Sequence, residues 1–163
     1  MVRSTSSSRV PDDSGWCRHR PNRSKRRGYY YSHRTRQSDM SRLALIAHDE
    51  EKPALIEFAE RYEDALATCD LVATGTTGKR LQTETELEVE RKESGPYGGD
   101  LMIGAEVAAG MMDGVIFLRD PLRAQPHEPD ISALLRICDV HDTALATNLA
   151  SATFLIEGLT ETG

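Results

Sequence analysis

The stretch Ser94-Gly95-Pro96-Tyr97-Gly98-Gly99-Asp100 packs three glycines, a proline and one acid into a turn between two apolar-patterned segments. Glycine permits positive φ and lets a ligand approach the main chain closely, and consecutive N–H groups leading into a helix form a seat for an anion. Asp100 at such a seat either caps the following helix or acts on what is bound there. A second stretch, Thr74-Gly75-Thr76-Thr77-Gly78, offers hydroxyls and backbone N–H groups at another helix start. That suits a phosphate and does not suit a metal. It is neither a P-loop nor a GxGxxG fingerprint, and taken alone it also reads as a strand-to-helix turn capped by threonines. Lys52 either supplies the balancing cation or is a solvated surface lysine.

A third loop runs from Asp120 to Asp130, where Pro121, Pro126 and Pro129 stiffen a segment that holds His127 between carboxylates. Three metal-type side chains in a strong spacing are absent, so no metal site is expected. Asp130 can serve as the N-cap of the next helix, with His127 an ordinary loop residue. Against that, gathering Asp49, Asp100, Asp120 and Asp130 near a phosphate seat costs energy unless the grouping shifts pKa values or performs chemistry.

The elements that must position these loops alternate short apolar runs with amphipathic stretches, which is the pattern of βα units around a parallel sheet. Strands are expected at Leu43 to Ala47, Asp70 to Ala73, Glu86 to Arg91, Val115 to Leu118 and Ala144 to Ala146. The third is the most polar and belongs at or near an edge. The first helix has Asp49 as N-cap, Pro53 in its first turn, and Leu55, Phe58, Ala59, Tyr62 and Leu66 on one face. A short helix follows Gly75 and Gly78. Leu101 to Met112 forms a helix with Met102, Ala105, Ala109 and Met112 inward, ended by Gly114; the helix after Asp130 turns Ile131, Leu134, Leu135 and Cys138 inward; Ala150 to Glu157 is the last. The expected fold is three-layer α/β: an open, mostly parallel five-stranded sheet with helices on both faces.

In such a sheet, ligands bind in the crevice outside the carboxyl ends of the strands. The unusual loops all leave those ends: His48 and Asp49, Thr74 to Thr77, Ser94 to Asp100, Asp120 to Asp130, and Thr147-Asn148. The opposite loops, Ala67 to Cys69 and His141 to Thr143, are plain.

Charge divides the 163 residues in two. Met1 to Arg42 carries 11 Lys and Arg against 3 Asp and Glu, while Leu43 to Gly163 carries 9 against 23. Residues 1–41 have little to bury and are expected to be a disordered basic tail ahead of a folded domain at 42–163. Three readings of the tail stay open: nucleic-acid or membrane-surface binding through Arg18, Arg20, Arg23, Lys25, Arg26 and Arg27, an Arg-rich targeting peptide, or a stretch outside the native protein, whose start would be Met40. No run approaches the roughly 20 apolar residues of a spanning helix. Cys17, Cys69 and Cys138 show no CxxC or CxxH spacing, so neither a disulfide framework nor a zinc site is supported, and the latter two are expected to be buried. The acidic body, with only Lys52, Lys79 and Lys92, points weakly to a high-salt cytoplasm.

Ala47-His48-Asp49 with Lys52, Ala73 to Gly78, Ser94 to Asp100, Asp120-Pro121-Leu122, Pro126 to Asp130 and Ala146-Thr147-Asn148 together resemble the methylglyoxal synthase family, from about Leu43 to Glu157. The resemblance implies a cytoplasmic homohexamer that converts dihydroxyacetone phosphate to methylglyoxal and inorganic phosphate, without metal or organic cofactor. It implies phosphate as both product and inhibitor, and neither nucleic acid nor membrane as partner of the folded domain. On the matching positions, Asp100 would be the base that removes a proton beside the carbonyl, and His127 would hydrogen-bond substrate oxygens. His48, Lys52, Thr74, Gly75, Thr76, Thr77, Ser94 and Gly95 would contact substrate and phosphate. Asp49, Asp120 and Asp130 would be supporting carboxylates.

Elementary chemistry agrees with that assignment. Removing a proton α to a carbonyl needs a positioned base and donors facing the oxygen where charge develops. A phosphate seat that holds the C–O bond to phosphorus out of the enediolate plane would favour elimination over reprotonation. Two other function classes are a regulatory effector-binding module of the same fold, disfavoured by the presence of both Asp100 and His127, and a nucleotide-binding protein, disfavoured because no dinucleotide fingerprint follows the first strand.

Overall fold

The computed structural model describes residues 40–123 and 128–160. The chain divides between His33 and Arg34, and all the described residues lie in the second unit. The basic stretch up to residue 39 and His127 lie outside the described residues.

Five strands form one sheet: β1 (Arg42–Ala47), β2 (Asp70–Ala73), β3 (Val89–Arg91), β4 (Gly114–Leu118) and β5 (Ala144–Ala146). Their order is β3-β2-β1-β4-β5 and every pairing is parallel. Central β1 is an almost continuous apolar run because helices cover both its faces, whereas the polar β3 lies at the edge, as its sequence indicates.

Alternate residues of β1 point into two separate cores. Leu43, Leu45 and Ala47 pack with α1 (Lys52–Arg61), α2 (Glu63–Leu66), α3 (Gly75–Glu84) and α6 (Leu149–Thr160); Ala44 and Ile46 pack with α4 (Gly99–Ala108) and α5 (Glu128–His141). This is the expected three-layer arrangement. Cys69 and Cys138 are buried free thiols within the two cores.

Several local expectations are corrected. Asp49 does not cap a helix: it opens a 3-10 turn, Asp49–Glu51, and α1 starts at Lys52. The first helix also breaks at Tyr62 (φ −111°, ψ 25°), so Leu66 sits on a separate turn. The third strand has only three residues, and the helix expected after Gly75 and Gly78 begins at Gly75 and has ten.

The largest correction concerns α4. Met102, Ala105 and Ala109 are exposed, and Ile103 and Val107 face the core instead. Apart from Glu106 the segment is apolar on every side, so periodicity could not fix its rotation. It ends at Ala108, ahead of Gly110 at φ 68°, and Gly114 starts β4. The helix expected after Asp130 starts earlier, at Glu128, which places Asp130 inside its first turn and not at the N-cap.

Candidate active site

Four polar residues are buried among the described residues, His48, Thr74, Thr77 and Asp100, and all four lie at the carboxyl edge of the sheet. Burying polar groups costs free energy, so their concentration at one edge marks a site and not a core. Three of them line a cavity of about 170 Å³ whose wall is His48, Asp49 and Lys52 after β1, Thr74 and Thr76 after β2, and Ser94, Gly95, Pro96 and Asp100 after β3. Ile46, Ala47 and Phe117 complete it. The volume suits a small metabolite and falls below the roughly 300–1,000 Å³ of drug-sized pockets.

Lys52 is held in place by two neighbours. Its side chain, only 12% exposed, pairs with the carboxylate of exposed Asp49 and donates from Nζ to Thr76 Oγ1 at 2.8 Å. Thr76 stands in the first turn of α3, where N–H groups and helix dipole add to the positive field. Behind it, Thr74 Oγ1 lies 3.3 Å from Thr77 Oγ1, fixing the buried hydroxyls against each other.

His48 is fixed in orientation and protonation. Its backbone N–H donates to Leu118 O at 3.1 Å, and Nδ1 accepts from the backbone N–H of Asp120 at 3.0 Å. An imidazole that accepts at Nδ1 carries its proton on Nε2, so the ring is a neutral donor. It meets Phe117 edge to face, with centroids 5.1 Å apart.

Asp100 is 2% exposed and sits in the first turn of α4. Its place depends on glycines. Gly98 takes φ 87°, and a Cβ on Gly99 would stand 1.9 Å from Glu93 O. Gly75 is needed in the same way, since its Cβ would lie 3.0 Å from Ser94 N and its N–H donates to Glu93 O at 3.0 Å. Gly75 therefore draws the Ser94 loop against α3 and has no N–H left for a ligand.

The structure thus brings His48, Asp49, Lys52, Thr74, Thr76, Ser94, Gly95 and Asp100 to one cavity. Gly75, Thr77, Asp120 and Asp130 do not line it. The Asp120 carboxylate accepts from Leu122 N–H at 2.9 Å and lies 3.6 Å from Arg123 Nε. Residues the sequence did not single out are the apolar wall, chiefly Phe117, which nothing distinguishes from an ordinary core residue of β4. Among the described residues no group of three His, Cys, Asp or Glu could hold a metal ion, and no helix is long and apolar enough to cross a membrane.

Residues 54–147 match the family model of the MGS-like domain. The methylglyoxal synthase of Burkholderia cenocepacia is 59% identical over 118 residues, which cover 72% of this chain and 91% of the relative. The chain belongs to the methylglyoxal synthase family. Methylglyoxal synthases of Burkholderia thailandensis (60% identity, 72% of this chain, 91% of the relative) and Cupriavidus metallidurans (58%, 71% and 82%) are similar relatives. A crystal structure of the methylglyoxal synthase from Elizabethkingia anophelis superimposes with a TM-score of 0.69 at 40% identity, covering 72% of this chain and 77% of that one. These matches bear out both the fold class and the methylglyoxal synthase resemblance read from the loops.

Proposed function

We propose that this methylglyoxal synthase family member converts dihydroxyacetone phosphate to methylglyoxal and inorganic phosphate, with Asp100 as the base. The observation that carries this is the buried Asp100 carboxylate on the wall of the cavity that Lys52 and Thr76 make a phosphate seat. Asp100 takes a proton from the hydroxymethyl carbon and negative charge moves to the carbonyl oxygen, where neutral His48, joined by His127, donates. The enediolate then expels phosphate with the electron pair of its C–O bond. As it leaves, the terminal hydroxyl loses its proton and becomes the aldehyde, and the remaining enolate gains a proton at its methylene carbon to become methylglyoxal.

Lys52, Thr74, Thr76, Ser94 and Gly95 hold the phosphate in this proposal; Gly75 and Thr77 support that wall from behind. Asp49 orients Lys52, Asp120 orients His48 through its backbone, and Asp130 stands at the start of α5 as a supporting carboxylate. Phosphate, as product, competes for the same seat. We place the enzyme in the cytoplasm as a homohexamer. Support comes from the apolar outer surface of α4, with Leu101 and Met102 exposed beside Tyr97 (80% exposed), and from Phe154 (77%) on α6, faces of the kind that subunits cover.

Purified protein supplied with dihydroxyacetone phosphate should release methylglyoxal in a colorimetric assay, less so as phosphate is added. Substrate binding without product would instead indicate a regulatory module. Light scattering that found a monomer would overturn the hexamer.

A further inference from the structure

On the α4 side of the sheet four charged side chains close a ring of alternating sign. Lys92 Nζ pairs with Glu90 Oε1 at 2.5 Å and with the carboxylate of Glu106. Glu106 Oε2 receives Arg42 Nε at 3.1 Å and Nη2 at 3.0 Å, and Arg42 Nη2 returns to Glu90 Oε2 at 2.5 Å. Asp70 joins through Arg42 Nη1. The ring therefore ties β1, β3 and α4 together. Lys92 and Glu106 are mostly buried, with side chains 12% and 13% exposed. Burial opposes the charge on Lys92, but the hydrogen bonds to Glu106 and Glu90 outweigh it and raise its pKa. The Glu90 carboxyl is lowered by the bonds from Lys92 and then Arg42.

The position of Lys92 in the chain gives the ring a use. It is the first residue after β3 and stands two positions before Ser94, and its N–H is anchored to Ala73 O at 2.9 Å. Glu106 belongs to the helix whose first turn carries Asp100, and these two are the only charged residues of α4. Between the two anchors lie Gly95, Gly98 and Gly99, with backbone bonds from Tyr97 and Gly99 to Ser94 O and from Gly98 to Gly95 O. α4 rests on the sheet mainly through Ile103 and Val107. Apolar contact is non-directional and does not by itself fix where a helix stands along its axis. A buried ion pair is directional and does.

We propose that Lys92, through its ion pair with Glu106, is a positioning residue that sets the Asp100 base against the phosphate seat at Ser94 and Gly95. It acts at a distance, since Lys92 does not line the cavity. The inference rests on the proposed lyase reaction and adds a residue to it.

The test compares wild type with Lys92→Met, Lys92→Arg, Glu106→Gln and the double variant Lys92→Met/Glu106→Gln. Measurements are kcat and KM for dihydroxyacetone phosphate, inorganic phosphate affinity by calorimetry, and melting temperature. Misplacing the base lowers kcat about 10- to 100-fold in Lys92→Met. KM and phosphate affinity stay within about threefold, because Lys52, Thr74 and Thr76 stand on other elements. Lys92→Arg restores most of kcat, Glu106→Gln follows Lys92→Met, and the double variant is no worse than the poorer single one. Should Lys92→Met not fold, Glu106→Gln carries the same expectation. Melting temperatures that fall while kcat stays within twofold of wild type would overturn the proposal, leaving the ring purely structural. Phosphate affinity falling in step with kcat would also overturn it, making Lys92 part of the seat. Wild-type protein that made no methylglyoxal would overturn the lyase reaction itself, and the inference with it.

Discussion

The backbone N–H of Asp120 donates to Nδ1 of His48 across 3.0 Å, from the end of β4 to the end of β1. A main-chain donor has no titration of its own, so it holds the imidazole as the Nε2–H tautomer whatever the Asp120 side chain does. The Asp120 carboxylate meanwhile closes the turn at Leu122.

His48→Phe should therefore fold, since a phenyl ring can occupy the buried position against Phe117, and should lose on the order of 10²-fold in kcat, the cost of removing one preorganised donor. Asp120→Asn keeps both the main-chain donor and a turn-closing oxygen. Its kcat should stay within about threefold of wild type. Steady-state kinetics on both variants checks the pair: an equal collapse in Asp120→Asn would mean the carboxylate itself takes part.

Asp100→Asn keeps shape but cannot accept a proton. Turnover should fall by roughly 10²- to 10⁴-fold. Exchange of the substrate's α-proton with deuterated solvent, followed by NMR, should disappear with it, because exchange and elimination share one enediolate. Phosphate affinity should be equal or tighter, as a repulsive charge has gone. Near wild-type turnover would reduce Asp100 to a helix-terminus residue.

Lys52→Ala and Thr76→Val should raise KM and weaken phosphate inhibition together, because the two side chains form one hydrogen-bonded unit at 2.8 Å. Loss of a charge-assisted bond to phosphate corresponds to roughly 1.5–3 kcal/mol. Inhibition constants that stayed fixed while KM rose would place the phosphate elsewhere.

Gly99→Ala sets a methyl group against Glu93 O, where 1.9 Å is available. The carbonyl belongs to backbone that is itself bonded to Gly75 N–H, so it cannot move alone. Overpacking of this kind costs about 1–3 kcal/mol or more, and Asp100 should be displaced along with it. Denaturant unfolding and kcat are expected to fall together, and a fully active, fully stable variant would contradict the close approach.

Burial raises the Cys138 thiol to about 11 from an ordinary 9.0. With the folded value above the unfolded one, the unfolded chain loses its proton first as pH rises. Stability from this group is constant below about pH 9 and is lost between about 9 and 11, by on the order of 2–3 kcal/mol. Cys138→Ala should flatten that part of the stability profile measured by urea unfolding, and an unchanged slope would assign the alkaline loss to other groups.

The order of residues is enough to establish the βα alternation, the edge position of β3, the buried cysteines and the loops that would meet at the carboxyl edge. Apolar runs, glycines and prolines act within a few residues, so their consequences can be read where they stand. It also placed Asp100, Lys52, Thr74 and Thr76 in one site, because parallel strands bring every such loop to the same edge. The rotation of α4 depends on packing in three dimensions, because apart from Asp100 and Glu106 that helix is apolar on every side. The same holds for the His48 tautomer, set by a residue 72 positions away. It holds for Gly75 and Gly99, which look like ligand-facing glycines but are fixed by Glu93 and Ser94, and for the Arg42, Glu90, Lys92 and Glu106 ring. Each depends on distances between segments remote in sequence, and a local pattern carries no measure of those.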